Sequence, residues 1–227
     1  TIEGFLESVN EEEKEDIKRA ICKYLDEQTI VYSSETMAQE LINLKKKIDK
    51  EFNSKKKPVI FYSPNEGKSH SYILNLFAKL NNIPLKQLYS VDIDSIYKLP
   101  DELTNNTPII LDDIAASSAT ITRTTNAIER HKQDDTTINW AVLLASDLAI
   151  NKLSDNLFKP NSFIFFKRTK DMYSSGIKEG DRFLSPEEAR LIVKNLDLGY
   201  NATGLSCAFP HIIPDNSSDL SSKLLDS

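Results

Sequence analysis

Thr107 to Thr122 reads TPIILDDIAASSATIT, and the order of residue types in this stretch decides the fold. Ile109, Ile110 and Leu111 are too continuously apolar for a strand with one wet face. They predict a central strand covered on both sides, as in a parallel α/β sheet. Asp112 and Asp113 follow at the carboxyl end of that strand, which is where open α/β sheets bind ligands. Ser117, Ser118, Ala119 and Thr120 then make a turn of small residues into a helix start. Free N–H groups and the helix dipole favour an anion there, phosphate above all. Two carboxylates beside such a nest suit a sugar phosphate and Mg²⁺, whereas a buried strand ending in a solvated acidic turn needs no ligand at all.

Outward from this stretch, short apolar runs alternate with helical ones. Strands are predicted at 58–63, 87–91, 108–111, 138–145 and 162–167. Tyr72, Ile73, Leu76, Phe77 and Leu80 form a helical stripe between the first two. The alternation predicts an α/β fold with a doubly wound, mostly parallel sheet. The first fifty or so residues read as helices. Asn10 caps one whose apolar stripe is Ile17, Ala20, Ile21, Tyr24 and Leu25, and a second follows Ser33 or Ser34 with Met37, Leu41, Leu44 and Ile48 at helical spacing. Ser185, Pro186 and Glu188 supply a capping box for a late helix. The expected organisation is an N-terminal helical extension over 1–57, an α/β domain over 58–217 and a polar tail over 218–227.

Composition narrows the classes. With 227 residues, 40% hydrophobic and 27% charged, the chain has material for one substantial core, and no apolar segment is long enough to cross a bilayer. Cys22 and Cys207 are far apart and lack a metal-type spacing, so a reducing cytoplasm is the expected compartment. A net charge of −6 argues against broad nucleic-acid binding. The lysines at 45, 46, 47, 50 and 55–57 read first as a solvated helix face and linker.

A second informative place is SPNEGKSHSY, Ser63 to Tyr72. Gly67, Lys68 and Ser69 immediately before a helix provide a flexible backbone, a cation and exposed N–H groups, the parts of a phosphate loop. One reading is a P-loop NTPase in which Asp112 or Asp113 holds Mg²⁺. A Walker A spacing would need glycine at position 62, where the chain has Tyr62. Lys167 and Arg168 end the strand SFIFFKR, where either a phosphate contact or plain solvation accounts for a cation.

The DDIAASSAT segment resembles the PRPP-binding motif of phosphoribosyltransferases, with Ser118 in the usual glycine place. The resemblance implies that Asp112 and Asp113 face the ribose, directly or through Mg²⁺, and that Ser117 to Thr120 hold the 5′-phosphate. It also implies that Gly67, Lys68 and Ser69 take the pyrophosphate. Near the C-terminus, CAFPHIIPDNSSDL from Cys207 to Leu220 resembles the closing signature of phosphoribosyltransferase-like proteins of bacterial conflict and anti-phage systems, some of them retron-associated. Through that signature His211 and Asn216 join the candidate ligand contacts. The implied function is binding of PRPP or a ribose-phosphate nucleotide with Mg²⁺ by a nucleotide-modifying or nucleotide-degrading effector. Two alternatives remain open: a non-turnover module that senses a nucleotide or docks partner proteins through the N-terminal helices, and the P-loop NTPase with a degenerate Walker A.

Overall fold

Five of the apolar runs lie side by side in one sheet. The computed structural model describes residues 10–19, 22, 30–52, 59–63, 69–90, 105–130, 137–155, 160–169 and 207–208. By its contacts the chain divides into two compact units, residues 35–168 and residues 1–34 with 169–227.

The first unit holds the sheet. Its strands are β2 (Val59–Ser63), β3 (Leu88–Ser90), β4 (Thr107–Ala115), β5 (Asn139–Ser146) and β6 (Ser162–Thr169). They stand in the order β3-β2-β4-β5-β6, with β2 parallel to β3 and to β4, and β4 parallel to β5. Asn161 and Ile138 exchange hydrogen bonds at 2.6 and 2.7 Å, which aligns the starts of β6 and β5. Thus the chain winds from β2 outward to β3, returns across β2 to β4, and then winds the other way. That reversal puts the topological switch point between β2 and β4, and the expected doubly wound, parallel sheet is observed.

The helices are α1 (Ser34–Phe52), α2 (Ser69–Leu80), α3 (Ala119–Glu129) and α4 (Asp147–Asp155). Strand residues alternate between faces, so register assigns the sides. Phe61, whose ring meets Phe77 of α2 at 5.2 Å, marks the α2 face. Ile60, Tyr62, Ile110, Trp140 and Val142 mark the other, where they pack with Ile121 and Ile128 of α3 and Ala149 and Leu153 of α4. Both β4 and β5 are buried along almost their whole length because helices cover both faces. Pro108 is tolerated at the second position of β4, and Asn139 Nδ2 donates to its carbonyl at 2.9 Å.

In α1, Met37, Leu41, Leu44, Ile48 and Phe52 are buried at the predicted spacing. Each such side chain contributes on the order of 1.5–3 kcal/mol by leaving water. Lys47 Nζ donates to the carbonyls of Phe165 and Phe166 at 3.0 and 3.2 Å, tying α1 to β6.

The second unit contains β1 (Ile30–Val31), which pairs in parallel with β7 (Cys207–Ala208), a pairing that no sequence pattern announced. Helical residues 14–19 follow a turn in which the Asn10 carbonyl accepts from the Glu13 N–H at 3.0 Å. The helix expected from Ser185 lies outside the described residues. Among those described, no helix is long and apolar enough to cross a membrane.

Candidate functional site at the carboxyl edge of the sheet

The strand carrying the two acids is longer than its apolar run. The reading from residues ends the strand at Leu111, but β4 continues to Ala115, so Asp112 and Asp113 lie inside it. Pairing with β5 explains the extension, since Asp112, Ile114 and Ala115 are level with Val142, Leu144 and Ala145. On its other side β4 loses its partner early. The β2 pairing ends at Tyr62 and Ile110, and β2 itself stops at Ser63. Four residues of β4 therefore run past Leu111, about 13 Å at the rise of a strand. The step falls at the switch point, where the two winding directions part.

The pleat sends the two acids to opposite faces. Asp112 follows Ile110 toward α3 and α4, while Asp113 follows Ile109 and Leu111 toward α2. Both are buried, at 2% and 4% exposure, and the Asp112 carboxylate accepts from the Asp113 N–H at 2.8 Å. Burying two adjacent carboxylates is costly unless each is paired or hydrogen-bonded, and departures of this kind from the rules of a plain core are what make the tip of β4 a candidate site. On the α2 face Ser63 Oγ and Ser71 Oγ approach to 3.4 Å, joining the end of β2 to the first turn of α2.

The turn from β4 into α3 is short and buried. Ser117 and Ser118 are each 7% exposed. Ser118 is the N-cap of α3 and is left-handed, with φ 64° and ψ −1°. This is the conformation that glycine adopts freely, so the serine in the glycine place costs on the order of 1 kcal/mol without changing the backbone path. Its side chain makes no capping hydrogen bond, and the first turn of α3 holds no acidic residue. The leading N–H groups of a helix have no intrahelical acceptor.

The next helix solves the same problem differently. Ser146, at the end of β5, accepts from the Ala149 N–H at 3.0 Å and donates to the carbonyl of Ala116. Asp147 supplies the acid in the first turn of α4 and is held by an ion pair with Arg168 Nε. Asp147 is 1% exposed and Arg168 57%, so the cation reaches from the rim onto a buried carboxylate. Sequence reasoning missed Ser146 and Asp147. A hydroxyl three residues before Ala149, at the close of an apolar strand, was the available signal.

The remaining candidates divide by position. Ser117 to Thr120 sit together at the α3 start, and Ser69 opens α2 after β2. Lys167 lies exposed on β6. Gly67, Lys68, His211 and Asn216 lie outside the described residues. Tyr62, the residue in the Walker A glycine place, is buried within β2 and stacks on Tyr89 at 5.1 Å, so that position is strand core and not loop. Among the described residues no group of three or more His, Cys, Asp or Glu side chains could hold a metal. Asp112 and Asp113 fit Mg²⁺ only in its usual manner, with one or two carboxylates completed by ligand oxygens and water.

A family model described as PRTase-CE matches residues 2–219. No curated protein matches the chain. Among solved structures, a hypothetical protein from Neisseria gonorrhoeae with bound ppGpp is similar over 88% of this chain and 96% of its own, at 13% identity and a TM-score of 0.49. Xanthine-guanine-hypoxanthine phosphoribosyltransferase from Helicobacter pylori is similar over 63% of this chain and 90% of its own, at 14% identity and 0.43. The HGPRT-ase of Leishmania tarentolae in complex with GMP is similar over 60% of this chain and 81% of its own, at 17% identity and 0.43.

Proposed function

Because the chain belongs to the PRTase-CE family, we propose that it binds PRPP or a ribose-phosphate nucleotide at the tip of β4. One observation carries the reading: α3 begins behind a left-handed Ser118 with neither a side-chain cap nor an acid in its first turn, beside two buried aspartates. The 5′-phosphate lies at Ser117 to Thr120, where helix-start amides and the dipole stabilise an anion. The ribose spans the tip of β4. Asp112 approaches it from the phosphate side and Asp113 from the α2 side, where Gly67, Lys68 and Ser69 serve the pyrophosphate. Mg²⁺, when bound between Asp112 or Asp113 and the ligand, neutralises pyrophosphate oxygens.

In a transfer reaction the bond from the anomeric carbon to pyrophosphate breaks with its electron pair on the leaving oxygen, and a bond to the acceptor forms. The carboxylates offset the positive charge that develops at that carbon, and the anchored phosphate holds the ribose in line. Lys167 joins the ligand-binding set from its place near the end of β6, and His211 and Asn216 on the strength of the sequence resemblance. The same resemblance, in residues 207–217, supports a nucleotide-modifying or nucleotide-degrading role in a retron-like anti-phage system, with the N-terminal helices offered to partner proteins.

The test is calorimetric titration of PRPP and of ATP, each with Mg²⁺, into the wild type and Asp113→Asn. PRPP binding that falls at least tenfold in the variant is the expected result. ATP binding alone would move the assignment to the P-loop reading, and silence with both ligands to a docking module.

A further inference from the structure

We infer that Ser146 is a positioning residue for the 5′-phosphate turn, acting from the neighbouring strand through the carbonyl of Ala116; the inference rests on the ribose-phosphate reading above. Ser146 is fully buried at the end of β5, one residue beyond the last paired position, Ala145 with Ala115. Its hydroxyl is used twice. The proton goes to the Ala116 carbonyl, and the oxygen lone pair receives the Ala149 N–H at 3.0 Å. One side chain therefore links the turn after β4 to the start of α4.

Peptide planarity gives this link its consequence. In a trans peptide the carbonyl and the following N–H point in opposite directions. Holding the Ala116 carbonyl toward Ser146 turns the Ser117 N–H away from β5, and the left-handed Ser118 then directs the chain into α3. The turn cannot rotate that peptide without breaking a buried hydrogen bond, and a buried carbonyl left without its donor is costly. A phosphate nest needs its amides oriented before the anion arrives, since reorienting them would cost affinity. The strained Ser118 makes an external anchor more necessary, because a non-glycine residue leaves αL readily when nothing holds it.

The experiment titrates PRPP with Mg²⁺, ribose 5-phosphate and inorganic pyrophosphate into wild type, Ser146→Ala and Ser146→Thr, with melting temperatures recorded alongside. Ser146→Ala should weaken PRPP and ribose 5-phosphate by a similar factor, roughly tenfold for one buried hydrogen bond lost. Pyrophosphate affinity should be unchanged, and Ser146→Thr, which keeps the hydroxyl, should restore binding to within about threefold of wild type. A general loss of folding would lower all three ligands together and overturn the inference, as would full phosphate-ligand affinity in Ser146→Ala. Wild-type protein that binds neither PRPP nor ribose 5-phosphate would overturn the ribose-phosphate reading itself, a result visible before any variant is compared.

Discussion

Two helices start side by side at the carboxyl edge of this sheet, and their beginnings are opposite in kind. Helix α4 is complete by its own means: Ser146 receives an N–H of the first turn, and Asp147 supplies the negative charge that the dipole favours. Helix α3 has neither, and its N-cap is a serine held left-handed with its side chain out of capping position. The two follow neighbouring strands of the same apolar character, so propensity does not explain the difference. What it teaches is that two helices at one sheet edge can begin differently, α4 with its own cap and acid and α3 with neither, and it is on this difference that the proposed phosphate site rests.

The comparison breaks most sharply if α3 is given the acid that α4 already has. Thr120→Asp should abolish PRPP binding, a loss of at least a hundredfold by charge repulsion at the phosphate, while raising helix stability by about 0.3–1 kcal/mol. Calorimetry and thermal melts read the two effects separately. Sulfate should raise the melting temperature of wild type and not of this variant.

The reverse change tests α4. Asp147→Ala removes a buried carboxylate and its bond to Arg168, and should destabilise the fold by about 1–3 kcal/mol in denaturant titration. Arg168 is half in water, so the loss falls short of that for a fully buried pair. A smaller effect is expected from Ser118→Gly, which relieves the left-handed strain. Folding should gain at most about 1 kcal/mol, since glycine also gains freedom in the unfolded chain, and PRPP should bind at least as tightly.

Much of the sheet was legible because its pattern is local. Ile109 to Leu111, Trp140 to Ala145 and the stripe Met37, Leu41, Leu44 and Ile48 declare their burial through residue type and period. The acids and the small-residue turn were equally visible. The continuation of β4 through Asp112 and Asp113 was not, because carboxylates resemble a strand end, and it is the alignment with Val142 to Ala145 that keeps the backbone extended. Likewise β1 and β7 are two residues each, too short to carry a pattern, and exist through a pairing between distant parts of the chain.

Sequence alone determined that this chain builds a doubly wound sheet whose central apolar strand leads through two acids into a turn of small residues, since periodicity and residue type act within a few positions of one another. Only the tertiary structure decided that Ser118 takes the left-handed path of a glycine, that the acids face opposite sides of β4, and that Ser146 and Arg168 fasten the rim. Those outcomes depend on register and on hydrogen bonds that join residues about twenty to thirty positions apart, as from Ala116 to Ser146, and no local pattern contains them.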